Sequence, residues 1–381
     1  MDYNTLIKEH QAWIDETWGK LDKKLSKTAV KSRYKIPYTT INGEHDDQKT
    51  KITKWTNGFW GGLMWLMYAG TQKDCYKITA EESERMMDKA FEYMAKLHHD
   101  VGFMWHILSG ANYRLTGNPD SKNRNLIAAM VLASRYNVRG NFIRAWNGKW
   151  MGEDNTGWTI IDTMMNLPLL YWASEETGDE RFKYIAIKHA DMAMRDHIRA
   201  DGSVNHIVVH DPEKADTVLG TRGGQGYAEG SCWSRGESWA LYGFAISYIH
   251  TKEQRYLETS KKVADYFIAE TEKTGWLPIL DFRQPESPVY YDSTAGAIAA
   301  CGLIELAKNT EGAEQEKYLL AAINILQAME KNWCDFSETE DSILQMGSLM
   351  YLKEQHMPII YGDYYFAEAI LKLKGNDFLP W

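Results

Sequence analysis

The chain has 381 residues, of which 44% are hydrophobic, and it carries a formal net charge of −9. This length and apolar content suit a large folded core, and the scattered lysines and arginines form no basic stripe that would bind nucleic acid. No run approaches the roughly 18 apolar residues of a membrane helix, so we expect neither a nucleic-acid partner nor a membrane partner.

Apolar residues recur at helical spacing along most of the chain, whereas the alternation typical of strands is nearly absent. The pattern predicts about twelve helices. They lie near residues 3–20, 57–70, 77–97, 103–116, 121–136, 160–177, 179–199, 234–251, 253–271, 293–309, 313–332 and 362–374. Three joints, at residues 177–182, 251–256 and 310–318, share a polar turn after which an aromatic residue opens the next helix. These turns recur at the spacing of one helical hairpin and its return loop, which indicates a repeat architecture.

Helical hairpins of this kind cannot each bury their own apolar face, so they should pack on one another with one helix of each pair inside. We therefore predict an all-α fold, an (α/α)6 barrel of six helical hairpins, forming a single catalytic domain over residues 1–381. An open solenoid of the same hairpins is the alternative. The barrel is favoured because the return loops 100–103, 146–150 and 220–231 are rich in Gly, Trp and charge, as expected for the rim of one pocket.

The cysteines and the N-terminal residues indicate a reducing compartment. Cys75, Cys232, Cys301 and Cys334 show no C-x-x-C spacing, so we expect buried thiols rather than disulfides or zinc ligands. The first residues show no basic region followed by an apolar stretch. We expect a cytoplasmic protein that is a monomer or a weak homo-oligomer.

Asp100 closes the run Lys-Leu-His-His-Asp at the end of the helix predicted for residues 77–97. Adjacent residues on a helix point about 100° apart, so we do not expect His98, His99 and Asp100 to form a metal site. Each histidine alone is more simply a structural residue. A carboxylate beside Gly102 at a pocket rim could accept hydrogen bonds from the hydroxyl groups of a ligand.

Asp162 lies inside the apolar segment 158–172. A carboxyl group among such neighbours loses hydration, which disfavours its ionised form and suits it to donate a proton. The alternative is a carboxylate near a helix start that accepts backbone N–H bonds, which would favour the ionised form. Interior acids without partners are uncommon outside functional sites, so we predict that Asp162 is a general acid.

Segment 230–242 places Trp233, Arg235 and Trp239 at a helix start, directly after the glycine-rich loop. A helix N-terminus with one arginine suits a carboxylate or sulfate, and the two tryptophans could sandwich a flat ring. Alternatively, Arg235 stacks on Trp239 or pairs with Glu237. Weaker candidates, judged from residue type alone, are Trp55, His206 and Gln225.

Taken together, these segments resemble the unsaturated glucuronyl hydrolases of glycoside hydrolase family 88. The matching stretches run in order over nearly the whole chain: 55–62, 98–103, 160–170, the glycine-rich loop through Trp239, 291–303 and 361–366. The two segments that contain Asp100 and Asp162 are specific to that family.

The resemblance implies an (α/α)6 barrel that removes 4,5-unsaturated glucuronic acid from the non-reducing end of lyase-generated glycosaminoglycan oligosaccharides. It implies that Asp162 is the general acid and base and that Asp100 holds the ring hydroxyls. The residues it implies for the substrate pocket are Trp55, His206, Gln225, Arg235 and Trp239. From the loop 146–150 and the helix start at 233, we also expect Trp146 and Trp233 to contact the substrate. The resemblance also implies a sulfate-binding pattern in relatives that favour sulfated chains: an arginine in the glycine-rich loop, with a serine and a lysine near the C-terminus. In this chain Arg222, Ser348 and Lys353 could supply it, although Tyr351 stands where a second small hydroxyl residue is expected.

The implied reaction is the addition of water to an enol ether, for which a single carboxyl group that cycles between acid and base suffices. Such a reaction calls for no metal and no organic cofactor. Two alternatives stay open: an unsaturated rhamnogalacturonyl hydrolase acting on pectin fragments, and a non-catalytic barrel that binds uronides.

Overall fold

We describe the protein from a computed structural model, in which residues 2–150 and 152–381 are described, residue 150 by its backbone alone. These ranges contain twelve α-helices: α1 Tyr3–Lys31, α2 Phe59–Thr71, α3 Asp74–Met87, α4 Ala111–Thr116, α5 Pro119–Ser134, α6 Leu167–Thr177, α7 Glu180–Asp196, α8 Ser234–Thr251, α9 Gln254–Glu272, α10 Ser293–Lys308, α11 Gly312–Trp333 and α12 Ile360–Leu373. Shorter helical segments are the 3-10 helices Lys49–Lys51, Trp55–Gly58, Asp88–Lys96 and Ile161–Met165 and the π-helix Gly102–Gly110.

The inner wall of the fold is a closed ring of helices. In order around the ring these are α2, the π-helix with α4, α6, α8, α10 and α12, and α12 packs back against α2. Each inner helix carries one outer helix: α3, α5, α7, α9, α11 and α1, respectively. The chain is therefore an (α/α)6 barrel, which confirms the predicted fold class and excludes the open solenoid.

Burial patterns explain which helix of each pair lies inside. Every residue of α10 from Ser293 to Ala307 is buried, and so is every residue of α12, because these helices have neighbours on all sides. Outer helix α9 buries positions such as Tyr256, Ser260, Val263 and Phe267, which form a single stripe. Small residues let the inner helices approach closely: a Cβ at Gly302 of α10 would lie 2.2 Å from the Leu241 side chain of α8.

One turn chemistry closes four of the hairpins. Thr71, Thr116, Thr177 and Thr251 each donate their hydroxyl to the carbonyl four residues earlier, and each accepts the backbone N–H two residues later. The residue between threonine and that N–H is left-handed in every case, with φ from 58° to 76°. The side chain and the left-handed residue together satisfy the terminal carbonyls and reverse the chain.

The described residues also contain nine short strands, which lie in the loops between helices. They are β1 Thr40–Ile41, β2 Glu44–His45, β3 Tyr136–Asn137, β4 Phe142–Ile143, β5 Lys149–Trp150, β6 Glu153–Asp154, β7 Trp158–Ile160, β8 Ile207–His210 and β9 Val218–Arg222. The first six form antiparallel pairs, and the last three form one sheet in the order β7-β8-β9. Ile160 pairs with Ile207, and the Ile161 N–H bonds the His206 carbonyl at 3.1 Å. This register brings His206 beside the segment that carries Asp162.

Two predicted helix boundaries were wrong. Helix α1 runs to Lys31 rather than residue 20, because Leu21, Leu25 and Ala29 continue its buried stripe between lysines. The helix predicted over 77–97 ends at Met87 and continues as a 3-10 segment to Lys96, after which residues 98–100 are not helical.

The four cysteines are free thiols, two of them buried. Among the described residues, no helix is both long and apolar enough to span a membrane.

Candidate active site

A cavity of about 110 Å³ lies at the end of the barrel where the inner helices begin. Segment 55–58 precedes α2, Asp100 precedes the π-helix, and segment 161–165 precedes α6. Helix starts place polar side chains and unpaired backbone N–H groups around one space, which favours anionic ligands. The lining residues are Trp55, His98, Asp100, Trp146, Ile160, Asp162, Gln225, Trp233 and Arg235.

Asp162 lines this cavity and is in direct contact with His206. Asp162 Oδ1 lies 3.4 Å from His206 Nε2 and has no hydrogen-bond partner among the described residues. His206 Nδ1 accepts the Gln225 backbone N–H at 3.0 Å. A neutral imidazole that accepts at Nδ1 carries its proton on Nε2, so His206 presents a donor to the Asp162 carboxylate.

Asp100 lies in a denser polar environment. Its Oδ2 is 3.3 Å from both His98 Nδ1 and His99 Nε2, and its Oδ1 is 3.4 Å from the Asn166 amide nitrogen. Burial raises the pKa of the Asp100 carboxyl above its usual range, and the negative charge of Asp162 adds to this rise, whereas His98 and Asn166 oppose it. The Asp100 carboxyl therefore keeps its proton more readily than an exposed aspartate does.

The geometric argument against a metal site at residues 98–100 was wrong, because these residues form a turn rather than a helix. One ligand atom from each of His98, His99 and Asp100 lies within 4.8 Å of the others. Burial lowers the pKa of His99 well below its usual range, and its Nδ1 lies 2.9 Å from the Thr163 hydroxyl. The two histidines and Thr163 thus surround and support the Asp100 side chain. The expectation that no metal binds there stays a prediction.

Arg235 is buried and paired, although not with the residues that the sequence suggested. Its Nη1 lies 2.7 Å from Asp292 Oδ2, and its two Nη atoms donate to the carbonyls of Ser348 and Leu349 at 2.5 and 2.7 Å. The guanidinium lies 4.5 Å from the Trp233 ring centre, so it stacks on Trp233 rather than Trp239. Glu237 instead accepts hydrogen bonds from Cys232 and the Val204 N–H.

Aromatic rings form much of the wall. The Trp233 ring lies 4.3 Å from the His206 ring at an interplanar angle of 40°, Trp55 lies 5.0 Å from Tyr361, and Trp146 lies 6.3 Å from Trp158. Flat apolar faces with polar edges suit the packing of sugar rings.

Five predicted site residues do not line the cavity. His206 is buried beside Asp162, with its Nε2 3.4 Å from Asp162 Oδ1. Trp239 is fully buried in the core, 5.1 Å from the Phe103 ring. Arg222 pairs with Glu153 at 2.9 Å near the surface, and Lys353 is exposed. Ser348 is buried, where its hydroxyl donates to the Tyr291 carbonyl and its own carbonyl holds Arg235.

Sequence reasoning missed Asn166 and Asp292 and gave His98 and Ile160 no part in the site. The Asn166 amide touches Asp100 and also donates to the Asp162 carbonyl at 3.3 Å, so it links the two acids. A polar residue four positions after Asp162 in an apolar segment was the available signal. Asp292 caps α10 by accepting the Thr294 N–H, and the run Asp-Ser-Thr before an apolar helix predicts that cap but not the Arg235 pair.

Comparison with known proteins decides the family. The sequence profile described as Glycosyl Hydrolase Family 88 matches residues 30–249, more than half of the chain. The chain belongs to glycosyl hydrolase family 88. This confirms the resemblance drawn from the motifs.

Relatives match over most of their length. An "Unsaturated glucuronyl hydrolase" from Bacillus sp. (strain GL1) is 34% identical over 332 residues, which cover 84% of this chain and 86% of that protein. An "Unsaturated chondroitin disaccharide hydrolase" from Streptococcus pneumoniae is 33% identical, covering 86% and 84%. A crystal structure of unsaturated glucuronyl hydrolase from Bacillus sp. GL1, described as responsible for the degradation of glycosaminoglycan, aligns with a TM-score of 0.88 at 31% identity, covering 94% of this chain and 97% of that one. The family 88 protein described here is therefore a hydrolase.

Proposed function

We propose that this family 88 hydrolase removes 4,5-unsaturated glucuronic acid from the non-reducing end of lyase-generated glycosaminoglycan oligosaccharides. The single observation that carries this proposal is the pair Asp100 and Asp162 in one small cavity, with no hydrogen-bond partner for Asp162 Oδ1 among the described residues. The activities for which the relatives are named agree with it.

The substrate holds an enol ether in which the ring oxygen is conjugated with the C4=C5 bond. A carboxyl proton is transferred to C4, the double-bond electrons form the new C4–H bond, and positive charge develops at C5 and the ring oxygen. Water adds to C5 and returns a proton to the carboxylate. The resulting hemiketal opens by breaking the bond from C5 to the ring oxygen, and the hemiacetal left at C1 expels the aglycone as an alcohol.

Asp162 is assigned as the acid and base of this cycle. Its side chain lines the cavity, and the Nε2 proton of His206, which lies 3.4 Å from Oδ1, would stabilise the carboxylate formed once the proton has been given up. His206 thereby acts through Asp162 as a positioning residue.

Asp100 is assigned to the ring hydroxyls. A hydrogen bond from Asn166 orients its carboxyl group, and burial favours the protonated form of Asp100.

The uronate carboxylate would lie against Gln225 and Arg235. Arg235 Nε and one hydrogen of Nη2 make no hydrogen bond among the described residues, although Asp292 already balances the charge. Gln225 Nε2 donates to the Leu349 carbonyl at 2.7 Å, which fixes its amide at the wall. Trp55, Trp146 and Trp233 would pack against the sugar rings. With Arg222 ion-paired to Glu153 and Ser348 buried, we assign no sulfate site to the pattern of Arg222, Ser348 and Lys353.

The test is the loss of enol-ether absorbance over a panel of unsaturated chondroitin, hyaluronan and heparin disaccharides, with a rhamnogalacturonan disaccharide as the pectin arm. We expect turnover of glycosaminoglycan members and none of the pectin member. Turnover of the pectin member alone, or of no member, would defeat the proposal.

Replacing Asp162 with Asn keeps the shape of the side chain and removes its proton cycle. We expect kcat to fall by at least about 10²–10⁴-fold while the disaccharide Kd, measured by calorimetry, stays within about threefold of wild type. Glu153→Gln, which neutralises an exposed acid outside the cavity, is the matched control and should leave kcat unchanged. Retained turnover in Asp162→Asn would remove it from the catalytic role.

A further inference from the structure

A second cleft, distinct from the catalytic cavity, is lined by lysines. It has a volume of about 350 Å³ and lies between segment 49–53 and the stretch 89–96. Lys49, Lys51, Lys89 and Lys96 line it, and no carboxylate does so among the described residues. A local excess of four positive charges is unusual on a chain with a net charge of −9. The cleft is thus suited to an anion.

The lysines of this cleft are poorly neutralised by the protein. Neither Lys51 nor Lys89 has a carboxylate oxygen within 4.0 Å among the described residues, whereas Asp88, the acid next to Lys89, is held by Arg124 at 2.6 Å. Lys96 lies 5.1 Å from the ring centre of Tyr93, whose side chain is exposed at the cleft. Lys49, by contrast, has an acidic neighbour, Asp47 at 3.0 Å.

A second lysine-lined groove, on α1, differs from this cleft because it also contains acidic residues. That groove is lined by five lysines, but three acids line it too: Lys20, Lys23, Lys24, Lys27 and Lys31 with Glu338, Glu340 and Asp341. Lys27 pairs with Glu338 and Lys31 with Asp341, so acids of the same groove neutralise part of its positive charge. The cleft at 49–53 and 89–96 differs in keeping ammonium groups that no described carboxylate of its own lining neutralises.

The basic cleft lies near residues that line the catalytic cavity. Lys96 is two residues from His98 and Lys51 is four residues from Trp55, so their Cα atoms lie at most about 7 and 14 Å from those of lining residues. Asn147 donates to the carbonyls of Ala95 and Leu97 at 3.1 and 2.9 Å, which ties the cleft to the loop that carries Trp146. A chain that leaves the cavity past these residues would meet the lysines.

We propose that this cleft is an aglycone-side subsite that binds the sulfate and carboxylate groups of substrates longer than a disaccharide. The proposal rests on the proposed function, because it takes the unsaturated ring to occupy the catalytic cavity. The exposed ring of Tyr93 offers a face for a sugar, and the ammonium groups of Lys51 and Lys89 pair with its anionic substituents.

The test compares an unsulfated unsaturated disaccharide with a sulfated unsaturated tetrasaccharide, using wild type and the double variant Lys51→Gln/Lys89→Gln. The variant should hydrolyse the disaccharide with unchanged kcat and KM. Its KM for the tetrasaccharide should rise about three- to tenfold, as expected for the loss of two partly exposed ion pairs. Wild-type KM for the tetrasaccharide should also rise with salt more steeply than that of the variant.

The matched control is Lys8→Gln/Lys188→Gln, which removes the same charge from exposed lysines on α1 and α7 outside the cleft. It should behave as wild type on both substrates. If the cleft variant also gives the wild-type KM on the tetrasaccharide, the subsite is overturned.

A binding experiment separates failure of the subsite from failure of the proposed reaction. The sulfated tetrasaccharide is titrated calorimetrically into Asp162→Asn protein with and without the two lysine substitutions. Weaker binding without the lysines, together with no wild-type turnover of any substrate, would support the subsite and reject the reaction. Equal binding in the presence of normal disaccharide turnover would reject the subsite alone.

Discussion

At the scale of single residues, the site is built from buried charges whose partners come from distant parts of the chain. Asp162 meets His206, Asp100 meets Asn166, and Arg235 meets Asp292. A buried charge is stable only when such partners are in place, so each of these contacts affects both folding and chemistry.

The pair of Arg235 and Asp292 gives a prediction for stability. The two side chains are 1% and 0% exposed, so removing the acid leaves a desolvated guanidinium without its counter-charge. We expect Asp292→Asn to lower the unfolding free energy by about 3–5 kcal/mol, measured by urea denaturation. The exposed pair of Arg222 and Glu153 is the control, where Glu153→Gln should cost less than about 1 kcal/mol. Equal small losses would contradict a buried pair.

Glu237 gives a prediction for pH dependence. Burial raises the pKa of its carboxyl from 4.5 to about 8, with hydrogen bonds from Cys232 and Val204 opposing the rise. The folded protein therefore holds a proton that the unfolded chain releases near its ordinary pKa. The stability contributed by this group is fully present below about pH 4.5 and is lost as pH rises through about 8, by up to about 1.4 kcal/mol per pH unit.

Comparing wild type with Glu237→Gln isolates this effect, because other titrating groups cancel in the difference. The variant should gain stability relative to wild type as pH increases from 5 to 9, when unfolding is followed in urea at each pH. Glu272→Gln, at an exposed position, should run parallel to wild type. A constant difference between Glu237→Gln and wild type would mean that Glu237 is ionised throughout.

Residue-scale predictions from the sequence succeeded where the signal was local. The apolar segment around Asp162 and the run of polar residues ending at Asp100 pointed to two buried acids, and both line one cavity. Partners could not be predicted, because Asp292 reaches Arg235 only when α8 and α10 are neighbours in the ring. Trp239 was predicted at the cavity but lies in the core for a related reason. Trp233 and Trp239 both lie at the start of α8, and only the orientation of that helix decides which of them faces the cavity.

At the scale of elements, helices were predictable because inner and outer helices differ in periodicity. The twelve helices occur near the predicted positions, and the polar joints at Thr177 and Thr251 close hairpins through threonine and a left-handed residue. The segment 88–100 was not predictable as a helix end, since its composition is helical but its backbone switches to a 3-10 helix with a break at Tyr93.

The hairpin turns give a prediction for stability, in which replacing glycine with alanine is destabilising at one position and stabilising at another. Gly178 is left-handed with φ 69° at the end of α6, whereas a Cβ added at Gly19, inside α1, would have no described atom of a neighbouring element within 4 Å. Gly178→Ala should destabilise the protein by about 1 kcal/mol or more, and Gly19→Ala should stabilise it by about 0.5–1 kcal/mol. Thermal unfolding of both variants beside wild type measures the two shifts. Shifts of the same sign would contradict the hairpin geometry.

At the scale of the whole molecule, closure of the ring brings the starts of α2, the π-helix, α6 and α8 around one space and so creates the cavity. The number of hairpins predicts closure, because an open array would leave two apolar helix faces uncovered. Sequence alone could not show that segments 49–53 and 89–96 form one basic cleft, since they belong to different return loops. A cytoplasmic location, the oligomeric state and the single-domain boundary stay predictions.

The central claim is that a carboxyl proton is added to C4 of an enol ether. Turnover of an unsaturated disaccharide in D2O tests it most directly, with the released uronate analysed by proton NMR and mass spectrometry at early times. A product standing in D2O without enzyme controls for slow exchange beside the new ketone. We expect one deuterium at C4 of the sugar released by wild type, and at least about 10²-fold less product from Asp162→Asn over the same time. Release of the aglycone with the C4=C5 bond intact and no deuterium at C4 would contradict it.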